Sequence, residues 1–119
     1  MRPGLNPIAE RLAADFPVLP EHGLSRILIV EHPEFGTSLA YGAHVWGSID
    51  TPDAEIAVAA AANYFQDVVI DNLMHTWPEA DGRPLFPAID AGRAWWMRDG
   101  ARFALIGRLG VTLRHAPIA

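Results

Sequence analysis

Residues 93–108, RAWWMRDGARFALIGR, decide how the second half of the chain is built. Asp99-Gly100 is the kind of dipeptide that a two-residue hairpin turn prefers, because both central positions need positive φ. That turn pairs Arg98 with Ala101, Met97 with Arg102, Trp96 with Phe103, Trp95 with Ala104 and Ala94 with Leu105. Side chains alternate across a strand. One face then carries Ala94, Trp96, Phe103 and Leu105, wholly apolar with two aromatics directly opposed, and it is expected to lie against helices. The other carries Arg93, Trp95, Met97, Arg102, Ala104, Ile106 and Arg108, apolar side chains interleaved with arginines.

Working outward, RPLFPAI (83–89), RAWWMR (93–98) and ARFALIGRL (101–109) predict three strands in a meander. Before them, DTPDAE (50–55) predicts a helix start, with Asp50 or Thr51 as cap, Pro52 near the first turn, and Asp53 and Glu55 at the positive end of the dipole. The helix is expected to run to about His75. Its first half, IAVAAAA, is apolar nearly all round, so it reads as a central buried helix or part of a dimer seam. SRILIV and SLAYGAHVWGSI, joined by EHPEFGT, predict an antiparallel strand pair. NPIAERLAADF predicts a short amphipathic helix capped by Asn6, with Pro7 at its first position and Ile8, Ala9, Leu12, Ala13 and Phe16 on one face. The expectation is one α+β domain over residues 1–119, in the order α-β-β-α-β-β-β, with an antiparallel sheet packed against a long central helix.

Composition narrows the function classes. The chain has 119 residues, half of them apolar and about a fifth charged, which is globular composition. It has no cysteine, so disulfides, thiolate nucleophiles and Cys-ligated zinc are excluded together. The N-terminal stretch lacks an apolar h-region, and the longest apolar run, Ile56–Ala62, falls far short of the roughly 20 residues of a membrane span. A cytoplasmic protein without a membrane partner is expected. All nine basic residues are arginine. Residues 1–82 hold three arginines against twelve carboxylates, and residues 83–119 hold six against two, giving charges of −9 and +4. Overall acidity argues against nonspecific nucleic-acid coating, whereas polarity of this kind suits a charged partner or self-association that weakens with salt.

Asn63, Asp67, Asp71 and His75 recur every fourth residue and so form a stripe down the predicted long helix. An Asp and a His at that spacing can share a proton or a divalent ion, and Asp71, His75 and His44 are therefore the candidate catalytic set. The alternative is a solvated helix face with a histidine suited to the C-terminal end of the dipole. The remaining histidines, His22, His32 and His115, are scattered, and no nucleophile elbow, phosphate loop or dinucleotide fingerprint is present. No local set of ligands suits a four-coordinate zinc site, so neither a metal nor another cofactor is expected.

The arginine-bearing face of the hairpin is the stronger candidate. Trp, Met and Arg are enriched where proteins meet, so Arg93, Trp95, Met97, Arg102, Ile106 and Arg108 form the candidate interface. The expected function is a non-enzymatic interaction module in the form of a homodimer, with an inhibitor or immunity-type protein as a variant of it. Three alternatives stand beside it. The N-terminal helix or the tail VTLRHAPIA could cover the face within one chain. A small-molecule binder or enzyme could hold a pocket between the long helix and the sheet, or the face could stack single-stranded nucleic acid.

The segments TWP (76–78), DGRPLFPAI (81–89) and GRAWWM (92–97) resemble the C-terminal end of small, uncharacterised actinobacterial proteins with W-P-x-C, G-H-x-H-P-L and W-x-C-P segments. In those proteins the segments form a degenerate zinc-knuckle-like hairpin. Trp77, Pro78, Pro84, Leu85, Trp95 and Trp96 match that pattern. Glu79, Ala80, Met97 and Arg98 stand at the ligand positions and cannot bind zinc tetrahedrally. The resemblance implies a hairpin that has kept its packing residues without the metal, with a structural or interfacial role.

Overall fold

The computed structural model describes residues 6–19, 26–47, 49 and 51–115, except for the side chains of residues 114 and 115. Asn6 caps the first helix, α1 (Pro7–Asp15), by accepting from the Ile8 and Ala9 amides at 2.9 and 3.3 Å. Ile8, Ala9, Leu12 and Phe16 are buried as the spacing predicts, while Ala13 is exposed. Strands β1 (Ile27–His32) and β2 (Gly36–Tyr41) form the expected antiparallel pair, from Ile27 opposite Tyr41 to His32 opposite Gly36.

The segment expected to be one strand from Ser38 onward is two. The chain reverses at Gly42-Ala43 and returns as β3 (His44–Gly47), which pairs Tyr41 with His44. Gly42 has φ 64, a conformation that glycine adopts without steric penalty, and the reversal follows from it. Ser38 on β2 is buried, and its hydroxyl donates to the Gly36 carbonyl at 3.0 Å. It fits because Gly47 opposes it: a Cβ there would collide with the Ser38 side chain.

Helix α2 (Ala54–Leu73) starts later and stops earlier than its spacing predicts. Asp53 is the cap, accepting from the Ile56 amide at 3.1 Å, while the Thr51 hydroxyl accepts from Asp53; Asp50 lies outside the described residues. At the other end Met74 takes the left-handed conformation, φ 62, and turns the chain away from the helix axis. Ala57, Val58, Ala61, Ala62, Phe65, Val68 and Val69 are buried, and the helix packs on α1, β3 and the strands that follow.

After α2 come β4 (Glu79–Ala80), β5 (Arg83–Pro84), β6 (Phe86–Asp90), β7 (Arg93–Arg98) and β8 (Ala101–Leu105). Three turns link them, Asp81-Gly82, Ala91-Gly92 and Asp99-Gly100, each with positive φ at both central residues. That is the mirror-image turn whose twist suits paired strands. The meander β6-β7-β8 is as expected, but it is one of three separate ladders among the described residues rather than part of a single sheet. Buried Gln66 on α2 ties the region together, donating to the carbonyls of Trp77 and Leu85 at 3.0 and 2.7 Å. The end of the expected last strand is instead a helix, α3 (Leu109–His115), which packs on α1 and β8. Residues 116–119, the rest of that tail, lie outside the described residues.

The hairpin register changes midway. Arg98 opposes Ala101 and Met97 opposes Arg102, as the turn dictates, but Trp96 then opposes Ala104 and Trp95 opposes Leu105. Phe103 is the extra residue of a bulge, and past it the faces of β8 exchange. Ala104 and Ile106 are therefore buried, while Phe103 and Leu105 are half-buried. The packing supplies a reason. Trp96 already meets the rings of Phe16 and Trp77 at 5.9 and 5.7 Å, and the position facing it takes the smallest side chain at hand, Ala104.

Candidate functional site

The β7–β8 region is fixed to the two longer helices by carboxylates. Asp15, at the end of α1, accepts from the Trp96 indole at 2.8 Å and from the Gly107 and Leu109 amides at 2.5 and 3.0 Å. Burial pushes its carboxyl above the usual range, against those three hydrogen bonds and the nearby Arg11 charge. Glu55, in the first turn of α2, accepts from the Ala94 amide at 2.8 Å and from Arg11 at 2.5 Å. Burial alone would raise its pKa, but the Arg11 hydrogen bond, the Ala94 amide and the charges of Arg11 and Arg93 hold it below the usual range. Arg11 also donates to the Ile106 carbonyl at 2.8 Å, so it bridges α1, α2 and the segment after β8. Tyr41 is held likewise in the core: its hydroxyl donates to the Pro17 carbonyl at 2.5 Å, and burial raises its pKa.

The face of the β6-β7-β8 sheet turned away from α2 carries Trp95 and Met97 on β7, Phe86 and Ala88 opposite them on β6, and Leu105 opposite Trp95 on β8. Phe86 is 55% exposed, and the others are half-buried. Arg102 lies over Trp95 with its guanidinium carbon 5.1 Å from the ring centroid, and its Nε meets the Asp90 carboxylate at 3.0 Å. The Trp95 indole donates to the Asp90 carbonyl at 3.2 Å. Arg98 lies 5.3 Å from the Phe103 centroid and pairs with Asp81 at 2.9 Å. The indole is thereby held in one orientation with part of its surface open.

Of the six residues expected at the interface, Arg93, Trp95, Met97 and Arg102 lie on this face. Ile106 does not: it is 1% exposed, because the Phe103 bulge moves it to the core side. Leu105 takes its place. Arg108 is exposed, but it follows the strand and lines a cleft together with Arg11, Arg93, Leu105, Ile106 and Gly107. The involvement of Arg11 had no signal in the sequence, since 95 residues separate it from Ile106.

Asp71, His75 and His44 are not brought together. Asp71 is exposed in the last turn of α2, and His75 lies beyond Met74, off the helix. The left-handed Met74 breaks the i, i+4 geometry that the stripe requires, and the His75 ring contacts the Thr76 carbonyl at 2.9 Å. His44 opens β3 in the other three-stranded sheet. No hydrogen bond joins the three, and no group of three His, Asp or Glu among the described residues is placed to hold a metal ion. His32 ends β1 and holds the turn that follows, accepting from the Glu34 and Phe35 amides and stacking on Phe35; His22 and the His115 side chain lie outside the described residues. No described helix is long and apolar enough to cross a membrane.

Family models, curated proteins and solved structures yield no match to this chain.

Proposed function

We propose that this protein is a non-enzymatic interaction module and that its partner on the β6-β7-β8 face is a second copy of the chain. The observation that carries the reading is Trp95, a half-buried indole held in place by Arg102 and Asp90 and surrounded by Phe86, Met97 and Leu105. A preoriented aromatic loses little freedom on binding, and aromatic, Met and Arg side chains dominate the energetics of protein interfaces. A twofold arrangement would bring the two apolar patches together.

The scattered positions of Asp71, His75 and His44 weigh against the enzymatic alternative. Single-stranded nucleic acid is disfavoured because the cations beside the aromatics, Arg98 and Arg102, are already matched by Asp81 and Asp90. The same pairing revises the expected salt response. The −9 and +4 halves are partly neutralised within one chain, by Arg93 with Glu55 and by Arg98 with Asp81. Association through the apolar patch should therefore vary little with salt.

Sedimentation of the wild type and Trp95→Glu tests this. The wild type should form dimers and the variant should be a folded monomer. A wild type that stays monomeric at high micromolar concentration would sink the homodimer and leave a different protein, in the manner of an inhibitor or immunity-type pair, as the partner of this face.

A further inference from the structure

The cleft beside α3 is built differently from the sheet face. Arg11, Arg93 and Arg108 line it together with Leu105, Ile106 and Gly107, and its volume is about 240 Å³. Arg11 is fully committed, with Nε on the Ile106 carbonyl, one Nη on Glu55 and the other 3.4 Å from the Ala94 carbonyl. Glu55 in turn is nearly spent, one oxygen taken by Arg11 and the other by the Ala94 amide. Arg93 reaches that second oxygen only at 3.6 Å, and its side chain is 53% exposed. Arg108 is exposed and joins no ion pair among the described residues. Two of the three guanidinium groups that line the cleft, those of Arg11 and Arg93, therefore share the Glu55 carboxylate, and the donors left over belong to Arg93 and Arg108.

A second cleft shows what a balanced version looks like. It is lined by Asp81, Arg83, Arg98 and Asp99, with a volume of about 220 Å³. There Arg83 pairs with Asp99 and Arg98 with Asp81, so each cation has its own anion. Nothing there calls for an added charge.

We infer that the Arg93–Arg108 cleft is a binding site for a small oxyanion, a carboxylate or a phosphate group. Planar guanidinium groups donate in parallel pairs to both chemistries. At about 240 Å³ the cleft is smaller than the roughly 300–1,000 Å³ of drug-sized ligand pockets, so it suits a single charged group with a short apolar arm against Leu105. Arg11 belongs to its lining and is held in place by Glu55 on α2. Gly107 belongs to the wall by necessity: its φ is +108, and a Cβ would lie 3.1 Å from Arg11 Cβ.

The test is an NMR titration of the labelled protein, following the Arg Nε–Hε signals while inorganic phosphate or, separately, succinate is added at constant ionic strength. Saturable shifts at Arg93 and Arg108, with Arg83 and Arg98 unmoved, are expected. The double substitution Arg93→Gln and Arg108→Gln should weaken binding by at least about tenfold while leaving the fold intact, since both side chains are exposed. The tighter of the two ligands decides between a phosphate and a carboxylate source. Shifts that stay linear, or that spread equally to Arg83 and Arg98, would overturn the assignment. The outcome is separable from self-association: a saturating monomer keeps the cleft and removes the homodimer, and a dimer without saturation does the reverse.

Discussion

Trp96 donates its indole N–H to Asp15 at 2.8 Å, across 81 positions of sequence. The same carboxylate receives the Gly107 and Leu109 amides, so one residue at the end of α1 orients the core tryptophan and fastens the start of α3. Asp15→Ala would leave these donors without their acceptor, at about 1–3 kcal/mol for each that water cannot reach. Chemical denaturation should show a loss of that order. A loss under half of one such bond would mean that the contact is incidental.

Trp96→Ala should destabilise by about 3–5 kcal/mol, because the side chain is 0% exposed and packs between Phe16 and Trp77. Trp95→Ala should cost much less, since its indole remains partly open to solvent. Equal midpoint shifts for the two would contradict the facing of β7.

The bulge at Phe103 makes a paired prediction. Ile106→Glu should prevent stable folding, since it places a carboxylate at a fully buried site, while Leu105→Glu should leave a folded chain. An unbulged hairpin predicts the opposite ranking, so circular dichroism of the two variants decides between them.

Glu55 should make stability depend on pH. Its pKa is held below the ordinary 4.5 in the folded chain, so its contribution is present above 4.5 and lost as pH falls through the lowered folded value. Asp15 works the other way: its raised pKa favours the protonated carboxyl, so its contribution is present below the ordinary 3.8 and lost as pH rises through the folded value. Glu55→Gln should therefore be less stable than the wild type at neutral pH, with the gap closing in acid. A gap that is constant from neutral pH into acid would show that Glu55 acts by shape and not by charge.

Ala91 and Met74 hold left-handed conformations, φ 51 and 62, without being glycine or asparagine. Ala91→Asn and Met74→Gly should each stabilise by about 0.5–1 kcal/mol, the second helped by the 85% exposure of Met74, which loses no packing. Thermal melts that fall on either substitution would show that these side chains make contacts outweighing the backbone relief.

Local signals carried much of the fold. Asn6 followed by Pro7 marked the start of α1, Asp99-Gly100 marked the turn, and the alternation along β7 placed Trp96 inside and Trp95 outside. Each depends on residues within a few positions of one another. The helical stripe from Asn63 to Asp71 is likewise exposed as its spacing implies. His75 escaped it because a single left-handed residue, Met74, has no signature that distinguishes it from another helical turn.

What the sequence determined by itself was therefore the α+β class, the central helix, the meander and the face of β7 that carries Trp95 and Met97, all set by periodicity, caps and turn chemistry. What only the tertiary structure decided was where distant parts meet. The space round Trp96 admits Ala104 and not Phe103, which shifts the register of β8 and exchanges Leu105 for Ile106 on the outer face. Arg11, Glu55 and Ala94 converge from three elements and fix Arg11 in the cleft that Arg93 and Arg108 also line. Packing volumes and shared hydrogen-bond partners are properties of the assembled chain, and no local pattern encodes them.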